Sequence, residues 1–362
     1  MSDALRIVIC GLSVTSSWGN GHATNYRGLM RALSERGHDL LFLERDVPWY
    51  AARRDLPEPP WGRTRLYGSV RELHETQAEA VREADLVVVG SYVPEGVAVG
   101  EWVQRTARGI CAFYDIDTPV TLAKLARGDH EYLAPELVPG YDLYLSFTGG
   151  PTLGRIEREL GAPRAVAFHC LVDPAGHRPD PAAELRWDAG YLGTYSDDRQ
   201  AALVALLVEP ARRDPALRAV VAGPQYPPDL RWPPNVERIE HLPPARHRGF
   251  YTAQRVTVSV TRAAMRRAGW SPSVRLFEAA ACATPILTDP WPGLQEFFVP
   301  GEEILIASTA EQAAGAMALP DERLRAIGDG ARARVLAQHT AAHRAVELEE
   351  HVRAARTARL AA

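Results

Sequence analysis

Short apolar segments alternate with helical segments along nearly the whole chain. Near the start, residues 6–10 and 40–44 are predicted to be strands on either side of a helix that stops at Gly37 and His38. The first half contains four further predicted strands, at 85–90, 110–114, 142–146 and near 165–169. Alternation of this kind favours a parallel sheet whose strands are joined by right-handed helical crossovers.

A proline-rich interruption divides this pattern in two. The periodicity fails between Cys170 and Arg186, where Pro174, Pro179 and Pro181 accumulate, and this is typical of an interdomain linker. The alternation then resumes, with strands predicted at 189–192, 219–222, 236–241, 256–260 and 286–289. A chain of 362 residues is long enough for two domains with separate cores.

We therefore predict an α/β fold of two Rossmann-like, doubly wound domains that face a central cleft. The N-terminal domain is expected over residues 1–170, the linker over 171–186 and the C-terminal domain over 187–336. A single long helix is predicted from Ala331 to about Leu360. Its last part, residues 337–362, is assigned to a separate C-terminal segment that follows the second domain. Ligands bind such sheets at the carboxyl ends of the strands, so we look for site residues there.

Composition and charge exclude several classes of function. The net charge is −4, so a nucleic-acid partner is not expected, and no apolar run reaches the ~18 residues of a membrane span. Lys124 is the only lysine, which excludes a Walker A phosphate loop. The chain passes from Met-Ser-Asp into a strand without the core of a signal peptide, so we expect a cytoplasmic protein.

No metal site is predicted from the spacing of cysteines and histidines. The four cysteines lie in apolar surroundings, never at metal-ligand spacing, and are expected to be buried and reduced: Cys10, Cys111, Cys170 and Cys282. His339 and His343 are one turn apart on the predicted long helix, but no acidic residue lies between them. A surface face of that helix is the favoured interpretation.

The segment from Trp270 to Pro285 combines an anion-binding helix start with an acidic residue inside the helix. Ser271 or Ser273 can cap this helix, Pro272 suits a first-turn position, and Arg275 adds a fork of donors. Backbone N–H groups at a helix start attract phosphate. Glu278 would then accept both hydroxyl protons of a ribose. The alternative is an ordinary capped helix whose Glu278 is solvated.

Within this segment, residues 277–286 (FEAAACATPI) resemble the glutamate-alanine-x-alanine-cysteine-glycine-x-proline segment of GT-B-fold glycosyltransferases, in particular the CgeB-like, spore-maturation-type group. In the retaining family that shares this segment, two glutamates lie eight positions apart. Glu278 matches the second, which contacts ribose, whereas the first position is Trp270. The resemblance implies transfer of a sugar from a nucleotide-diphosphate donor and a C-terminal helix that crosses back to the N-terminal domain.

Further donor-binding residues are predicted in the second half. Gly193 and Thr194 form a phosphate-sized turn directly after a predicted strand. Arg199 and Arg262 are placed to clamp a diphosphate and to neutralise the leaving group as the glycosidic bond breaks. Each of the two arginines could instead be an ordinary surface residue.

The first half contributes the predicted catalytic residues. Gly19 and Gly21 lie in a loop after the first strand, beneath the donor's phosphates or sugar by the resemblance, and His22 is a candidate base or hydrogen-bond donor. Asp117, with Asp115, follows a strand and could orient the acceptor hydroxyl or take its proton. The alternatives are a local hydrogen bond for His22 and a helix-capping role for Asp117.

The predicted function is metal-independent transfer of a sugar from a nucleotide-diphosphate sugar to a small-molecule or glycan acceptor. The nucleotide sugar is a co-substrate and no cofactor is expected. The resemblance implies retention of configuration, which the residues themselves leave open. A nucleotide-sugar epimerase of the same fold and a non-catalytic nucleotide- or sugar-binding module are the alternatives.

Glu44 raises a dinucleotide-binding alternative, but the glycine fingerprint is missing. The base, the sugar, the acceptor and the oligomeric state stay open.

Overall fold

The structure, a computed structural model, describes residues 4–361. The chain divides into two compact units, 1–171 together with 341–362, and 172–340. Most of the segment predicted as a linker therefore lies in the second unit, and the C-terminal helix lies in the first. Residues 1–3 and 362, which the predicted domain bounds include, lie outside the described residues.

The first unit is built on a seven-stranded parallel sheet of order β3-β2-β1-β4-β5-β6-β7. Its strands are β1 Arg6–Gly11, β2 Asp39–Arg45, β3 Arg63–Tyr67, β4 Leu86–Gly90, β5 Ile110–Asp115, β6 Leu143–Ser146 and β7 Ala165–Ala167. The strand order proceeds in opposite directions from β1 and β4, so the loops after these two strands diverge. That divergence is where doubly wound sheets bind ligands.

Helices cover both faces of this sheet. They are α1 His22–Glu35, α2 Pro48–Ala51, α3 Val70–Glu83, α4 Gly96–Thr106, α5 Thr118–Ala126, α6 Pro151–Leu160 and the C-terminal helix α14 Ala341–Ala361, with a 3₁₀ turn at Pro135–Gly140. Alternate residues of β1 enter different cores. Ile7 and Ile9 pack with α1 and α14, whereas Val8 and Cys10 pack with α3 and α4.

A buried carboxylate fastens α14 to the first unit. Glu349 is 3% exposed and accepts hydrogen bonds from Arg36 Nε (2.5 Å) and Arg36 Nη2 (2.8 Å). His38 Nδ1 accepts the Leu5 N–H at 3.0 Å, so the proton is on His38 Nε2, which donates to Glu349 at 2.8 Å. A charge in this position is tolerated because its oxygens are paired.

The second unit repeats the architecture with a six-stranded parallel sheet of order β10-β9-β8-β11-β12-β13. Its strands are β8 Trp187–Leu192, β9 Ala219–Ala222, β10 Val236–Ile239, β11 Gln254–Ser259, β12 Ile286–Thr288 and β13 Leu305–Ile306. Its α-helices are α7 Asp197–Leu203, α8 Glu209–Arg213, α9 His247–Thr252, α10 Ala263–Ala268, α11 Val274–Ala281, α12 Ala310–Met317 and α13 Asp321–Gln338. The divergence of strand order here lies between β8 and β11.

A π-helical turn, Val204–Val208, joins α7 to α8 within the helix predicted over 199–212. Pro210 has no N–H to donate to the carbonyl of Leu206, so the regular i to i−4 ladder cannot continue through it.

The prediction of one helix from Ala331 to about Leu360 is wrong. α13 ends at Gln338, and α14 begins at Ala341 in the other unit. Between them, His339 is 7% exposed and its ring stacks on Phe277 with centroids 4.6 Å apart. Burial of this imidazole on an aromatic ring fixes the break, so His339 and His343 do not share a helix face.

Two edge strands, β3 and β13, have no counterpart in the prediction. β3 exposes most of its residues and β13 has two residues, so neither carries an apolar run long enough to be recognised. The four cysteines are buried and form no disulfide, as predicted. Among the helices within residues 4–361, none combines the length and apolar character needed to cross a bilayer.

Candidate functional site

The predicted donor-binding residues of the second unit lie at the carboxyl end of its sheet. Gly193 follows β8 and Arg262 follows β11, the two strands between which the strand order diverges. α11, which carries Arg275 and Glu278, connects the loop after β11 to β12. The topology therefore brings residues from these three segments to the edge where such sheets bind ligands.

Gly193 allows a guanidinium to approach the turn after β8. A Cβ atom at this position would lie 2.6 Å from Arg275 Nη1 and 2.5 Å from the Tyr191 hydroxyl oxygen. Arg275 Nη1 donates to the Leu192 carbonyl at 3.1 Å, and Arg199 Nη2 donates to the Thr194 carbonyl at 2.5 Å. Arg275 and Arg199, two of the predicted diphosphate-binding arginines, thus donate hydrogen bonds to backbone carbonyls on either side of Gly193.

The charges that act on Arg199 indicate that three arginines lie close together here. Burial lowers the pKa of Arg199, which is 7% exposed, and the nearby positive charges of Arg275 and Arg262 lower the pKa further. The buried Nε atoms of Arg199 and Arg275 have no hydrogen-bond partner. Clustered like charges with unused donors disfavour each other until an anion binds among them. The cluster Arg199–Arg262–Arg275 is hereafter the arginine cluster.

The start of α11 differs in detail from the sequence prediction. Ser273 occupies the N-cap position with extended backbone, but its side chain makes no capping hydrogen bond. Pro272 precedes the cap, so its predicted first-turn position is wrong, and Ser271 is 4% exposed. Trp270 has a positive φ of 44° and turns the chain into the helix, while its indole N–H donates to Glu296.

Glu278 is buried, which rules out the alternative of a solvated side chain. It is 3% exposed, and the Tyr251 hydroxyl donates to its Oε2 at 3.0 Å. His247 Nδ1 lies 3.6 Å from Oε2 and His177 Nε2 lies 3.7 Å from Oε1. Burial alone would raise the pKa of Glu278, but the two histidines and Tyr251 lower it to about 2. The carboxylate is therefore ionised at neutral pH.

In the first unit, Glu44 shapes the loop that precedes His22. Its carboxylate accepts the backbone N–H groups of Val14 (2.7 Å) and Thr15 (3.0 Å) and the hydroxyls of Ser13 and Thr15. Both oxygens are thus committed to the loop, which removes the reason for the dinucleotide-binding alternative. The Asn20 side chain accepts from Ala23 N at 3.0 Å and caps the first turn of α1.

The two predicted catalytic residues meet a shared neighbour, Tyr92. The rings of His22 and Tyr92 are edge to face with centroids 5.3 Å apart, and the Tyr92 hydroxyl donates to Asp117 Oδ2 at 3.0 Å. Burial lowers the pKa of His22 to about 4, so its imidazole is neutral at pH 7. Asp117 is the N-cap residue of α5 but makes no side-chain capping hydrogen bond, which leaves its carboxylate directed to Tyr92.

Asp115 has a separate, structural environment. It is fully buried and accepts hydrogen bonds from Thr121 Oγ1 and the Tyr144 hydroxyl, both at 2.6 Å. Burial raises its pKa to about 6. Of the two neighbouring aspartates, Asp117 is half-buried, whereas Asp115 is fully buried at the carboxyl end of β5.

Gly19 and Gly21 lie on the same loop as His22 and are exposed. Gly19 has a φ of 68°, which an L residue rarely adopts, and a Cβ at either glycine would have no heavy atom within 4 Å. Their role in approaching a ligand stays a prediction.

Sequence reasoning missed four side chains that belong to these sites: His177, His247, Tyr251 and Tyr226, the last of which donates to the Gly193 carbonyl at 3.2 Å. His247 lies at the start of a short helix with no motif around it. His177 lies in the segment predicted as a linker. A single sequence gives no signal that these residues surround Glu278 and Gly193.

Comparisons with known proteins agree on one fold. A family model described as glycosyl transferase-like matches residues 199–350. No curated protein matches the chain in sequence.

Three solved structures are similar over nearly the whole chain. Sucrose-phosphate synthase from Thermosynechococcus elongatus has 15% sequence identity and a TM-score of 0.68, covering 97% of this chain and 99% of that one. HepE from Anabaena in complex with UDP-glucose has 12% identity and a TM-score of 0.71, covering 96% and 99%. An alpha-glucosyltransferase in complex with UDP and a 13-mer DNA has 11% identity and a TM-score of 0.68, covering 96% and 99%.

Two doubly wound, Rossmann-like domains define the class: the chain has the GT-B fold, as the family resemblance implied. The glycosyl transferase-like family model matches residues 199–350, which are most of the second unit and part of α14, and this match confirms the resemblance of the Glu278 segment to glycosyltransferases. The narrower CgeB-like assignment stays a prediction.

Proposed function

We propose that this glycosyltransferase moves a sugar from a uridine-diphosphate sugar to a small-molecule or glycan acceptor, without a cofactor and without a metal ion in the transfer step. The arginine cluster at the carboxyl ends of β8 and β11 is the observation that carries the proposal. Its charges can neutralise the diphosphate leaving group, which is the task a metal ion performs in other transferases.

Uridine is proposed as the base because HepE and the alpha-glucosyltransferase were solved with UDP-glucose and UDP. The diphosphate is assigned to Arg199, Arg262 and Arg275 together with the backbone at Gly193 and Thr194 and the start of α11 at Ser271 and Ser273. Glu278 is assigned to the ribose hydroxyls, since it stays ionised at neutral pH and can accept a hydrogen bond from each of them.

The acceptor is assigned to the first unit. His22 is neutral at pH 7, so its imidazole can accept the proton of an acceptor hydroxyl. Asp117, whose carboxylate accepts a hydrogen bond from the Tyr92 hydroxyl, orients that acceptor hydroxyl. Gly19 and Gly21 give the ligand access to the loop backbone. Retention of configuration is proposed from the family resemblance. Trp270, whose indole N–H is held by Glu296, stands where that family has its first glutamate.

We also propose a cytoplasmic location and no nucleic-acid partner. The net charge of −4 argues against a polyanionic acceptor, although one structural relative was crystallised with DNA. A glycan or small molecule is therefore the acceptor class to test first.

The first experiment measures thermal unfolding with uridine, guanosine, adenosine and thymidine diphosphates. UDP at about 100 times its dissociation constant should add roughly 2.7 kcal/mol of stability. The gain should be much smaller in Glu278→Gln, which keeps the shape of the side chain and removes its charge. Glu240→Gln, an exposed residue of the same unit, is the matched control. Stabilisation by none of the four nucleotides would contradict the proposal.

A second experiment separates transfer from its alternatives. The protein is incubated with UDP-sugars, an acceptor mixture and EDTA, and the products are identified by mass spectrometry and NMR. Release of UDP that depends on an acceptor is the expected result. An altered sugar still attached to UDP would indicate an epimerase, and unchanged donor would indicate a binding module.

A further inference from the structure

Three side chains that are distant in sequence bring ligand atoms for a metal ion together in the second unit. The ligand atoms of His177, His247 and Glu278 all lie within 4.8 Å of one another. His177 Nε2 is 3.7 Å and His247 Nδ1 is 3.6 Å from the carboxylate of Glu278. Zinc bound at about 2.1 Å in a tetrahedral arrangement would hold its ligand atoms roughly 3.4 Å apart. The two histidine–carboxylate distances are within a few tenths of an ångström of that value.

The surroundings of these groups resemble those of known metal ligands. The second nitrogen of His247, Nε2, lies 3.3 Å from the Leu242 carbonyl and can donate to it, so Nδ1 is the nitrogen that faces Glu278 and would lose its proton to an incoming ion. The Tyr251 hydroxyl donates to Glu278 Oε2 and orients the carboxylate. Carbonyl and hydroxyl partners of this kind hold metal ligands in position in metalloproteins.

His177 supplies an independent observation. It is 8% exposed, and neither of its ring nitrogens has a hydrogen-bond partner. A buried imidazole without hydrogen bonds costs free energy, and coordination of Nε2 to an ion would recover part of that cost. His177 is also turned toward the carboxylate, where an ion would lie between the three groups.

We propose that a divalent transition-metal ion of the zinc class binds to His177, His247 and Glu278 and thereby competes with the nucleotide. Two imidazoles and one carboxylate suit zinc and its neighbours, whereas magnesium and calcium prefer oxygen ligands. The ion occupies the carboxylate assigned above to ribose, so the ion-free protein is the form that binds the donor. The competition rests on the proposed function; the metal site itself does not.

The site is tested by titrating EDTA-stripped, full-length protein with zinc chloride against a chromophoric chelator. One zinc ion per chain is expected, with at least a tenfold loss of affinity in His177→Phe and in His247→Phe. His241→Phe, which changes an exposed histidine of the same unit, should bind zinc like the wild type. Circular dichroism confirms that each variant is folded, and Glu278→Gln tests the third ligand with minimal change in shape.

Cobalt provides a spectroscopic check on the ligand set. The cobalt-loaded protein should show visible d–d absorption without a thiolate charge-transfer band, which separates this site from coordination by Cys282, the residue that follows α11. A thiolate band, the absence of one-to-one zinc binding, or a zinc affinity in both phenylalanine variants equal to that of the wild type would overturn the site.

The competition is measured as the affinity for UDP with and without zinc. Zinc should weaken UDP binding at least tenfold in the wild type and leave it unchanged in His177→Phe. Zinc binding without this antagonism would overturn the competition. Failure of UDP to bind even after removal of zinc would instead overturn the proposed function, and the zinc titration would still decide the metal site.

Discussion

At the scale of single residues, two buried carboxylates show how surroundings set opposite properties. Glu278 faces two imidazoles and a tyrosine hydroxyl, and its pKa falls to about 2 despite burial. Asp115 is held by the hydroxyls of Thr121 and Tyr144, and burial raises its pKa to about 6. Glu278 is thus a permanent anion at neutral pH, suited to bind a ligand, whereas Asp115 stabilises the end of β5 through hydrogen bonds.

The low pKa of Glu278 predicts a loss of stability in acid. Its folded pKa of about 2 lies below the usual 4.5, so the ionised group stabilises the fold above pH 4.5 and this contribution disappears as the pH falls toward 2. The contribution is about 3 kcal/mol at neutral pH, of which about 2 kcal/mol is lost by pH 3. Urea unfolding of wild type and Glu278→Gln at pH 7, 5, 4 and 3 measures it. The stability difference between the two proteins should shrink as the pH falls; a constant difference would contradict the assignment.

The arginine cluster predicts a loss specific to the diphosphate. Replacing Arg199 with methionine should weaken UDP binding by about 10- to 100-fold, because a charge-assisted hydrogen bond contributes about 1.5–3 kcal/mol. Binding of uridine, which lacks phosphate, should not change. Isothermal titration with both ligands tests this, and Arg213→Met, an exposed arginine on α8, serves as the control. Equal losses for uridine and UDP would argue for a structural role of Arg199.

At the scale of elements, the two units obtain their site residues from the same positions of the sheet. The loops after β1 and β4 hold His22 and Tyr92, and those after β8 and β11 hold Gly193 and Arg262. Both pairs of strands flank a divergence of strand order. The helix α14 is the exception to local connectivity, because it follows the second unit in sequence and packs in the core of the first.

The attachment of α14 predicts a large effect from a single glutamate. Glu349→Ala removes the partner of Arg36, which is 35% exposed and stays hydrated, and of buried His38, and should lower the free energy of unfolding by about 1–3 kcal/mol, the typical cost of leaving a buried donor without its partner. Glu350→Ala, at the exposed neighbouring position, should change it by less than about 0.5 kcal/mol. Chemical denaturation monitored by circular dichroism compares the two. Similar values would show that apolar packing alone holds α14.

At the scale of the whole molecule, the two units have separate sheets and separate cores. The donor residues proposed here belong to the second unit and the acceptor residues to the first. Each unit therefore has its own part of the proposed reaction, and ligands can be assigned to units by experiment on the intact chain.

Hydrogen exchange with and without UDP makes that assignment. UDP should slow exchange in the turn at 193–196 and in α11, because the proposed diphosphate contacts lie there. The sheet of the first unit should exchange as before. Protection confined to the loop after β1 would place the nucleotide in the other unit and refute the donor site.

The sequence by itself determined the α/β class, the two-domain plan and the family. Alternating apolar strands and helices give these directly, and the segment around Glu278 is contiguous, so its pattern is visible in one chain. The helix N-terminus with Arg275 and the arginines after strands could be proposed for the same reason. Short edge strands such as β3 and β13 lack that periodic signal.

Only the tertiary structure decided what surrounds each predicted residue. It placed His177 and His247 beside Glu278, Tyr92 between His22 and Asp117, and Glu44 in the loop of Ser13 and Thr15. It also broke the last helix at His339, whose ring is buried on Phe277. These contacts join residues far apart in the chain, and no local periodicity encodes them. The pKa values that govern the proposed chemistry follow from such contacts and from burial, so they too depend on the folded structure.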